Sequence, residues 1–311
     1  MHIAQVRDWS EGPQYVTVDD PPAPTESQVQ LRVLAAGLHQ VVRSRASGQH
    51  YSNSTAGLPH NLGIDCVGRD VATGKLYYHA NLRPGFGSFA ELLTVDRDAV
   101  HALPDSVDPA QFAASVNPAI SSWLALKRRT TNLPENFAVL ILGATSASGR
   151  LAALAARALG AGKVIGVARN EAALAATEGL DEFIVQREVV ADTDFSKVEC
   201  DVVLDYVYGD LALHALSTMS VRRPLQYVSI GMLSRKEVAI PPALLRSRDI
   251  TVRGSGPGAL STRAIQDEIK SLVPVMTSWN LSGAHSVPLK DIQAAWRDKS
   301  LADKGRLVFI P

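Results

Sequence analysis

The spacing of apolar residues changes character several times along this chain, and each change marks an element. Gln28–Ala36 alternates polar and apolar positions before Gly37, the period of a strand with one buried face. Gln14–Val18 alternates more weakly, and the proline-rich run Asp19–Thr25 reads as a turn between the two. Gly37–Asp70 is dense in Gly, His, Ser and Asn, as in loops that carry a pocket. Phe89–Val95 and Ala99–Leu103 predict two more strands, the latter closed by Pro104.

The pattern switches at Asp108. Pro109–Val116 and Ala119–Arg128 have helical spacing, interrupted by Asn117-Pro118. Then strand, turn and helix repeat. Ala138–Leu142 is an all-apolar strand, Gly143–Gly149 a small-residue turn, and Leu151–Leu159 an alanine-rich helix closed by Gly160. Val164–Ala168, Glu171–Glu178 and Phe183–Val185 continue as strand, helix, strand, as do Asp201–Tyr206, Leu211–Met219 and Gln226–Ile230. Ile250–Arg253 adds a strand, Ala264–Trp279 an amphipathic helix broken at Pro274, and Arg306–Ile310 a final strand. Strands that are apolar throughout and separated by helices predict a parallel sheet covered on both faces. The expected class is α/β: a β-rich unit with a doubly wound unit inserted.

Composition narrows the function. With 311 residues the chain is long enough for one large or two ordinary domains. Thirty-one Lys and Arg balance 31 Asp and Glu, so there is no basic excess to hold nucleic acid or an acidic membrane surface. Cys66 and Cys200 are too few for a disulfide framework or a four-thiolate zinc site, and point to a reducing compartment. Met1–Trp9 lacks the apolar run of a signal peptide, and no window approaches a span of about 18–20 apolar residues. The expectation is a soluble, cytoplasmic protein with neither nucleic-acid nor membrane partners.

The strongest chemical signal is the turn between the first apolar strand and the alanine-rich helix: Gly143, Ala144, Thr145, Ser146, Ala147, Ser148 and Gly149. A strand that turns sharply into a helix presents free N–H groups and a positive dipole end to a pyrophosphate. Bulky side chains there would hold the phosphates off the backbone. The run departs from G-x-G-x-x-G, with alanine or serine where the middle glycine stands. Arg150, in the first turn of the helix, adds charge beside the same phosphates. The next strand ends in Arg169-Asn170, where NAD-preferring domains carry an acidic residue for the ribose hydroxyls. A guanidinium suits a 2′-phosphate instead, so the expected cofactor is NADP(H).

Gln28–Gly37, Leu58–Gly68 and Gly87–Leu103 resemble the medium-chain dehydrogenase/reductase superfamily. Further landmarks are Asn117–Trp123, Asp205–Gly209 and Lys304-Gly305-Arg306, and the small-residue turn is similar to the zinc-free quinone oxidoreductase branch. The resemblance covers essentially the whole chain. It implies a GroES-like catalytic domain from residues 1–116 and 255–311, and a Rossmann NADP(H)-binding domain from 117–254. It also implies a homodimer whose last Rossmann strands pair edge to edge, which disposes of an exposed edge.

Where zinc relatives carry Gly-x-Cys this chain has Gly37-Leu38-His39, and where they carry Gly-His-Glu it has Gly63-Ile64-Asp65. His39, His50, His60 and His79 lack ligand spacing, so no metal is expected. Without a Lewis acid, hydride must go to an acceptor that is already electrophilic, a quinone or an α,β-unsaturated carbonyl (enone). By resemblance, Tyr51 and His39 are the candidate donors to the oxygen that gains charge. Asn117 and Ser121 match the nicotinamide end. Strand ends of such sheets bind ligands, which adds Tyr206, Ile230 and Gly231. Residues 68–87 are much shorter than in the family, which reshapes any substrate cleft. Two alternative readings are a non-catalytic NADPH-binding protein and a tailoring enoyl reductase of a biosynthetic pathway.

Overall fold

The computed structural model describes residues 1–48, 57–83, 85–221 and 224–311. Their contacts divide them into two units, residues 1–117 with 273–311, and residues 118–272. The second division lies at 272/273, where the family resemblance implied 254/255. Helix α7 (Thr262–Met276) is the reason. Its buried Glu268 accepts from Trp123 Nε1 (3.1 Å) and pairs with Lys127 (2.8 Å) and Arg128 (2.6 Å), all in the second unit.

The first unit is built by strand pairing. Strand β1 (His2–Val6), buried from Ile3 to Val6, pairs antiparallel with β2 (Pro13–Thr17) and β4 (His60–Asn61). In a larger sheet β3 (Gln28–Gly37) pairs with β5 (Asp65–Asp70) and β7 (Leu92–Asp96). Beyond β5 lie β6 (Leu76–Ala80) and β8 (Val100–Ala102). The chain end returns to this sheet: β15 (Ala284–Pro288) pairs with β16 (Arg306–Ile310), which pairs with β3. Two short helices, α1 (Gln40–Ala46) and α8 (Ile292–Arg297), complete the unit.

Gly37–Asp70 therefore holds α1, β4 and β5 where its composition suggested loops. Few residues of β5 favour strand by themselves; it is formed by neighbours on both sides and buried at five of six positions. Within the short 68–87 segment, β5 turns directly into β6 as an antiparallel hairpin. Asp70 N donates to the Lys75 carbonyl at 2.9 Å and Gly74 N to the Asp70 carbonyl at 2.8 Å, while the Asp70 carboxylate accepts from Ala72 N and Thr73 Oγ1.

Helix α2 (Pro109–Arg128) runs through Pro118 without a break, and α7 runs through Pro274. An interior proline costs about 3 kcal/mol through a lost hydrogen bond and a clash. Burial offsets it: Phe112, Ala113, Val116, Ala119 and Trp123 of α2 are all at most 4% exposed. Each large apolar side chain so buried stabilises by roughly 1.5–3 kcal/mol.

The second unit is a six-stranded parallel sheet. In chain order its elements are β9 (Ala138–Leu142), α3 (Ala147–Ala158), β10 (Lys163–Ala168), α4 (Glu171–Ala175) and β11 (Glu182–Val185). Then come β12 (Val202–Asp205), α5 (Asp210–Thr218), β13 (Leu225–Ser229), α6 (Pro242–Ser247) and β14 (Ile250–Gly254). The spatial order is β11-β10-β9-β12-β13-β14, so the direction of winding reverses between β9 and β12. Val139 and Ile141 of β9 pack with alanines of α3, and Leu140 and Leu142 with Leu211, Ala215 and Leu216 of α5. Burial on both faces is why β9 reads apolar at every position.

Candidate functional site

The crevice at a winding reversal is where open α/β sheets bind ligands. Here Gly143 leaves β9 with φ +87°, and the N–H groups of Gly143 and Ala144 both donate to the Val167 carbonyl of β10 (2.9 and 3.0 Å). Ser146 caps α3, its Oγ accepting from Gly149 N at 3.0 Å. Ala147 and Ser148 stand ahead of the first helical bond, so their N–H groups face outward from the helix end. A Cβ on Gly149 would lie 2.2 Å from the Gly143 carbonyl oxygen and 2.7 Å from Ala144 Cα. Only glycine lets helix and turn approach this closely, and the cradle fits a pyrophosphate.

Arg169 follows β10, exposed, and its guanidinium has no ion pair among the described residues. Asn170 is committed in part: its Oδ1 caps α4 by accepting from Ala173 N at 2.9 Å. Arg150 is exposed in the first turn of α3.

Across the reversal, Tyr206 and Gly231 meet the turn. A Cβ on Gly143 would touch Val207 Cγ2 at 3.1 Å and Tyr206 Cβ at 3.5 Å, and one on Gly231 would collide with the Tyr206 carbonyl oxygen at 2.5 Å. Ile230 N and Gly231 N both donate to the Asp205 carbonyl (2.8 and 3.0 Å). Tyr206 is a core residue, and burial pushes its hydroxyl up to about 12. Because Ser121 Oγ donates to the Pro118 carbonyl (2.6 Å), the Tyr206 hydroxyl donates to Ser121 Oγ, 3.3 Å away. The structure therefore brings together the 143–149 turn, Ser121, Tyr206, Ile230 and Gly231. Asn117, half-buried in α2, is the last residue of the first unit's N-terminal part.

Motif spacing does not single out Asp205, although an acid ending the apolar run Val202–Leu204 is a signal. It is fully buried, and its carboxylate accepts from Val207 N, Tyr208 N and the Tyr227 hydroxyl at 2.8, 3.0 and 2.5 Å. These bonds hold the turn in which Tyr208 (φ +58°) and Gly209 (φ +109°) reverse the chain. Burial nevertheless leaves the carboxyl above its ordinary pKa.

In the first unit His39 is 1% exposed, with Nε2 at 2.9 and 3.1 Å from the Asp65 carboxylate. Arg306 Nη1 donates to its Nδ1 at 3.2 Å, so the proton sits on Nε2 and points at Asp65. The Tyr78 hydroxyl also donates to Asp65, at 3.0 Å. Both ring nitrogens of His39, a candidate donor to the acceptor oxygen, are thus engaged within the protein. Tyr51 and His50 lie outside the described residues.

The remaining histidines of that group are packed apart. His79 donates from Nδ1 to the Ala99 carbonyl (2.8 Å) and its Nε2 is buried without a partner. Burial lowers its pKa, and burial with nearby Arg45 lowers that of His60. The unfolded chain binds these protons below about pH 6.5 while the folded one resists them, so acid favours unfolding. Stability is expected to hold above about pH 7 and to fall as the pH drops through 6 towards 5. Urea midpoints across that range check this. His79→Leu, which binds no proton, is expected to flatten the decline.

No protein-family model matches the chain. It is 35% identical over 358 aligned positions to the probable NADPH-dependent quinone reductase tdiC of Emericella nidulans, covering all of both chains. The chain belongs to the quinone oxidoreductases of the medium-chain dehydrogenase/reductase superfamily. Another quinone oxidoreductase, from Sus scrofa, is 28% identical over 75% of this chain and 71% of its own. The quinone oxidoreductase of Thermus thermophilus, solved also as a complex with NADPH, has the same fold, with a TM-score of 0.78 at 25% identity and full coverage of both chains. In the first unit Ile64 is buried. Among the described residues, no three His, Cys, Asp or Glu side chains gather as for a metal ion. Nor is any described helix long and apolar enough to cross a membrane.

Proposed function

We propose that this protein is an NADPH-dependent, metal-independent, cytoplasmic reductase that transfers hydride to quinones, and to enones as chemically equivalent acceptors. The observation that carries the reading is the glycine-closed turn Gly143–Gly149 at the winding reversal, with the cation Arg169 directly after β10, the strand whose Val167 carbonyl the turn bonds. Ala147 and Ser148 N–H groups bind the pyrophosphate, Arg169 the 2′-phosphate, and Gly231 admits the nicotinamide end against the backbone. Bound along this edge, NADPH supplies the hydride. Tyr51 donates to the acceptor oxygen, and His39, held by Asp65 and Arg306, is a positioning residue. The test is NADPH oxidation with a panel of quinones and enones after dialysis against a strong chelator. Turnover that survives dialysis supports the reading; tight NADPH binding with no turnover on any acceptor overturns it.

Cofactor preference follows Arg169. Losing one partly exposed charge-assisted contact costs roughly 1–3 kcal/mol, about one to two decades in affinity. Arg169→Ala is expected to weaken NADPH by that factor and leave NADH nearly unchanged, as fluorescence titration with each cofactor reads. Equal losses would show that Arg169 does not meet the 2′-phosphate.

The reading includes a homodimer through β14, the edge strand of the parallel sheet, whose outer side no described strand pairs. Antiparallel self-pairing centred on Val252 would set Arg253 opposite Thr251, whereas centring on Arg253 would set like charges face to face. The first register is therefore the one proposed.

A further inference from the structure

Beside β14, the second unit has a cavity of about 460 Å³ walled by Leu216 of α5, Tyr227 of β13, Leu245 of α6, Val252 of β14, and Lys236 and Ile240. Eight large apolar side chains are exposed among the described residues, and three of them line this cavity: Met232, Leu245 and Val252, 44–68% exposed. An apolar corner continuous with a free strand edge is self-complementary under a twofold axis.

The cavity wall is also the continuation of the cofactor site. Residues 231–241 link β13 to α6 without regular structure, beginning at Gly231. Leu233 N and Ser234 N bond to the Tyr206 and Val207 carbonyls (3.4 and 2.8 Å), and Arg235 pairs with Asp210 at 2.7 Å. From Lys236 to Ile240 the backbone makes no hydrogen bond to another backbone group among the described residues. Lys236, Val238 and Ile240 of that stretch line the cavity.

We propose that the α6–β14 corner of a second copy of this chain fills the cavity and fixes residues 231–241, so that dimerisation raises NADPH affinity. The proposal rests on the cofactor and dimer readings above. A segment ordered by the partner no longer has to be ordered when NADPH binds at Gly231, which is positive coupling. Coupling between two binding events is reciprocal, so NADPH tightens the dimer by the same factor that the dimer tightens NADPH.

Two measurements on the unmodified protein test this. NADPH titration at protein concentrations above and below the dimer dissociation constant should show affinity falling at least tenfold on dilution. Sedimentation equilibrium with and without NADPH should show the dimer tightened by a matching factor. Val252→Lys, which sets two cations face to face, should give a monomer with the diluted protein's weak NADPH affinity and unchanged far-UV circular dichroism. A wild-type dimer that dissociates with NADPH affinity unchanged overturns the coupling and leaves the dimer standing. A chain that sediments as a monomer at every concentration overturns the dimer reading and the coupling with it. A dimer that never binds NADPH overturns the cofactor reading instead.

Discussion

Gly149→Val is expected to abolish measurable NADPH binding while leaving the first unit folded. The first atom of any side chain there would lie 2.2 Å from the Gly143 carbonyl oxygen and 2.7 Å from Ala144 Cα. Both are backbone atoms, so neither can swing away as a side chain would. Helix α3 must then move off the turn, breaking the Ser146–Gly149 cap and turning the Ala147 and Ser148 N–H groups away from the phosphates. Forcing extra methyl groups into such a contact costs about 1–3 kcal/mol of stability. Misplacing the helix end should cost NADPH at least two decades, about 2.7 kcal/mol. Fluorescence titration reads the affinity and thermal melting the stability. Gly256→Ala is the control, because nothing lies within 4 Å of the Cβ it would add. Binding within threefold of wild type by Gly149→Val would show that the turn is not the phosphate cradle.

Asp65→Ala is expected to destabilise the first unit by about 3–5 kcal/mol, the cost of leaving a buried charge without its partner. Asp65 is 1% exposed and accepts from both His39 Nε2 and the Tyr78 hydroxyl. Beyond His39 lies Arg306, whose guanidinium burial pushes below its ordinary pKa and whose charge Asp65 supports. Removing the carboxylate strands two donors and a cation together. Removing the cation as well, in Asp65→Ala with Arg306→Met, should recover part of the loss, because the uncompensated charge then goes too. Urea unfolding of the two single variants and the double variant measures the coupling. A loss below about 1 kcal/mol for Asp65→Ala would show that the network does not bear on stability.

The Gly149 cradle and the Asp65 network differ in how much of each is legible along the chain. The cradle is local: apolar β9, small-residue turn and alanine-rich α3 are contiguous, and short-range sterics dictate glycine where helix meets strand. Arg169 is equally legible, directly after β10. The Asp65 network is not. His39 and Asp65 are 26 residues apart and His39 and Arg306 are 267 apart. Nothing in Gly37-Leu38-His39 says that its histidine will be closed on both nitrogens. Asp205 falls between these cases: an acid ending an apolar strand is visible, but its three donors appear only once the turn and β13 fold onto it.

Local pattern alone was enough to dictate the alternation of strand and helix in the second unit and its small-residue turn. There the code is short-range: the central strand β9, buried on both faces, is apolar at every position, and glycine follows both it and α3. Packing between distant segments set β1, β4, β5, β6 and α1. Their residues have mixed or weak preference, and the strands form only because a partner supplies the missing hydrogen bonds. Packing also let α2 and α7 run through their prolines, since burial along α2 outweighs one lost hydrogen bond. And it set what His39 can do, because the atoms that engage its ring come from strands far away in the chain.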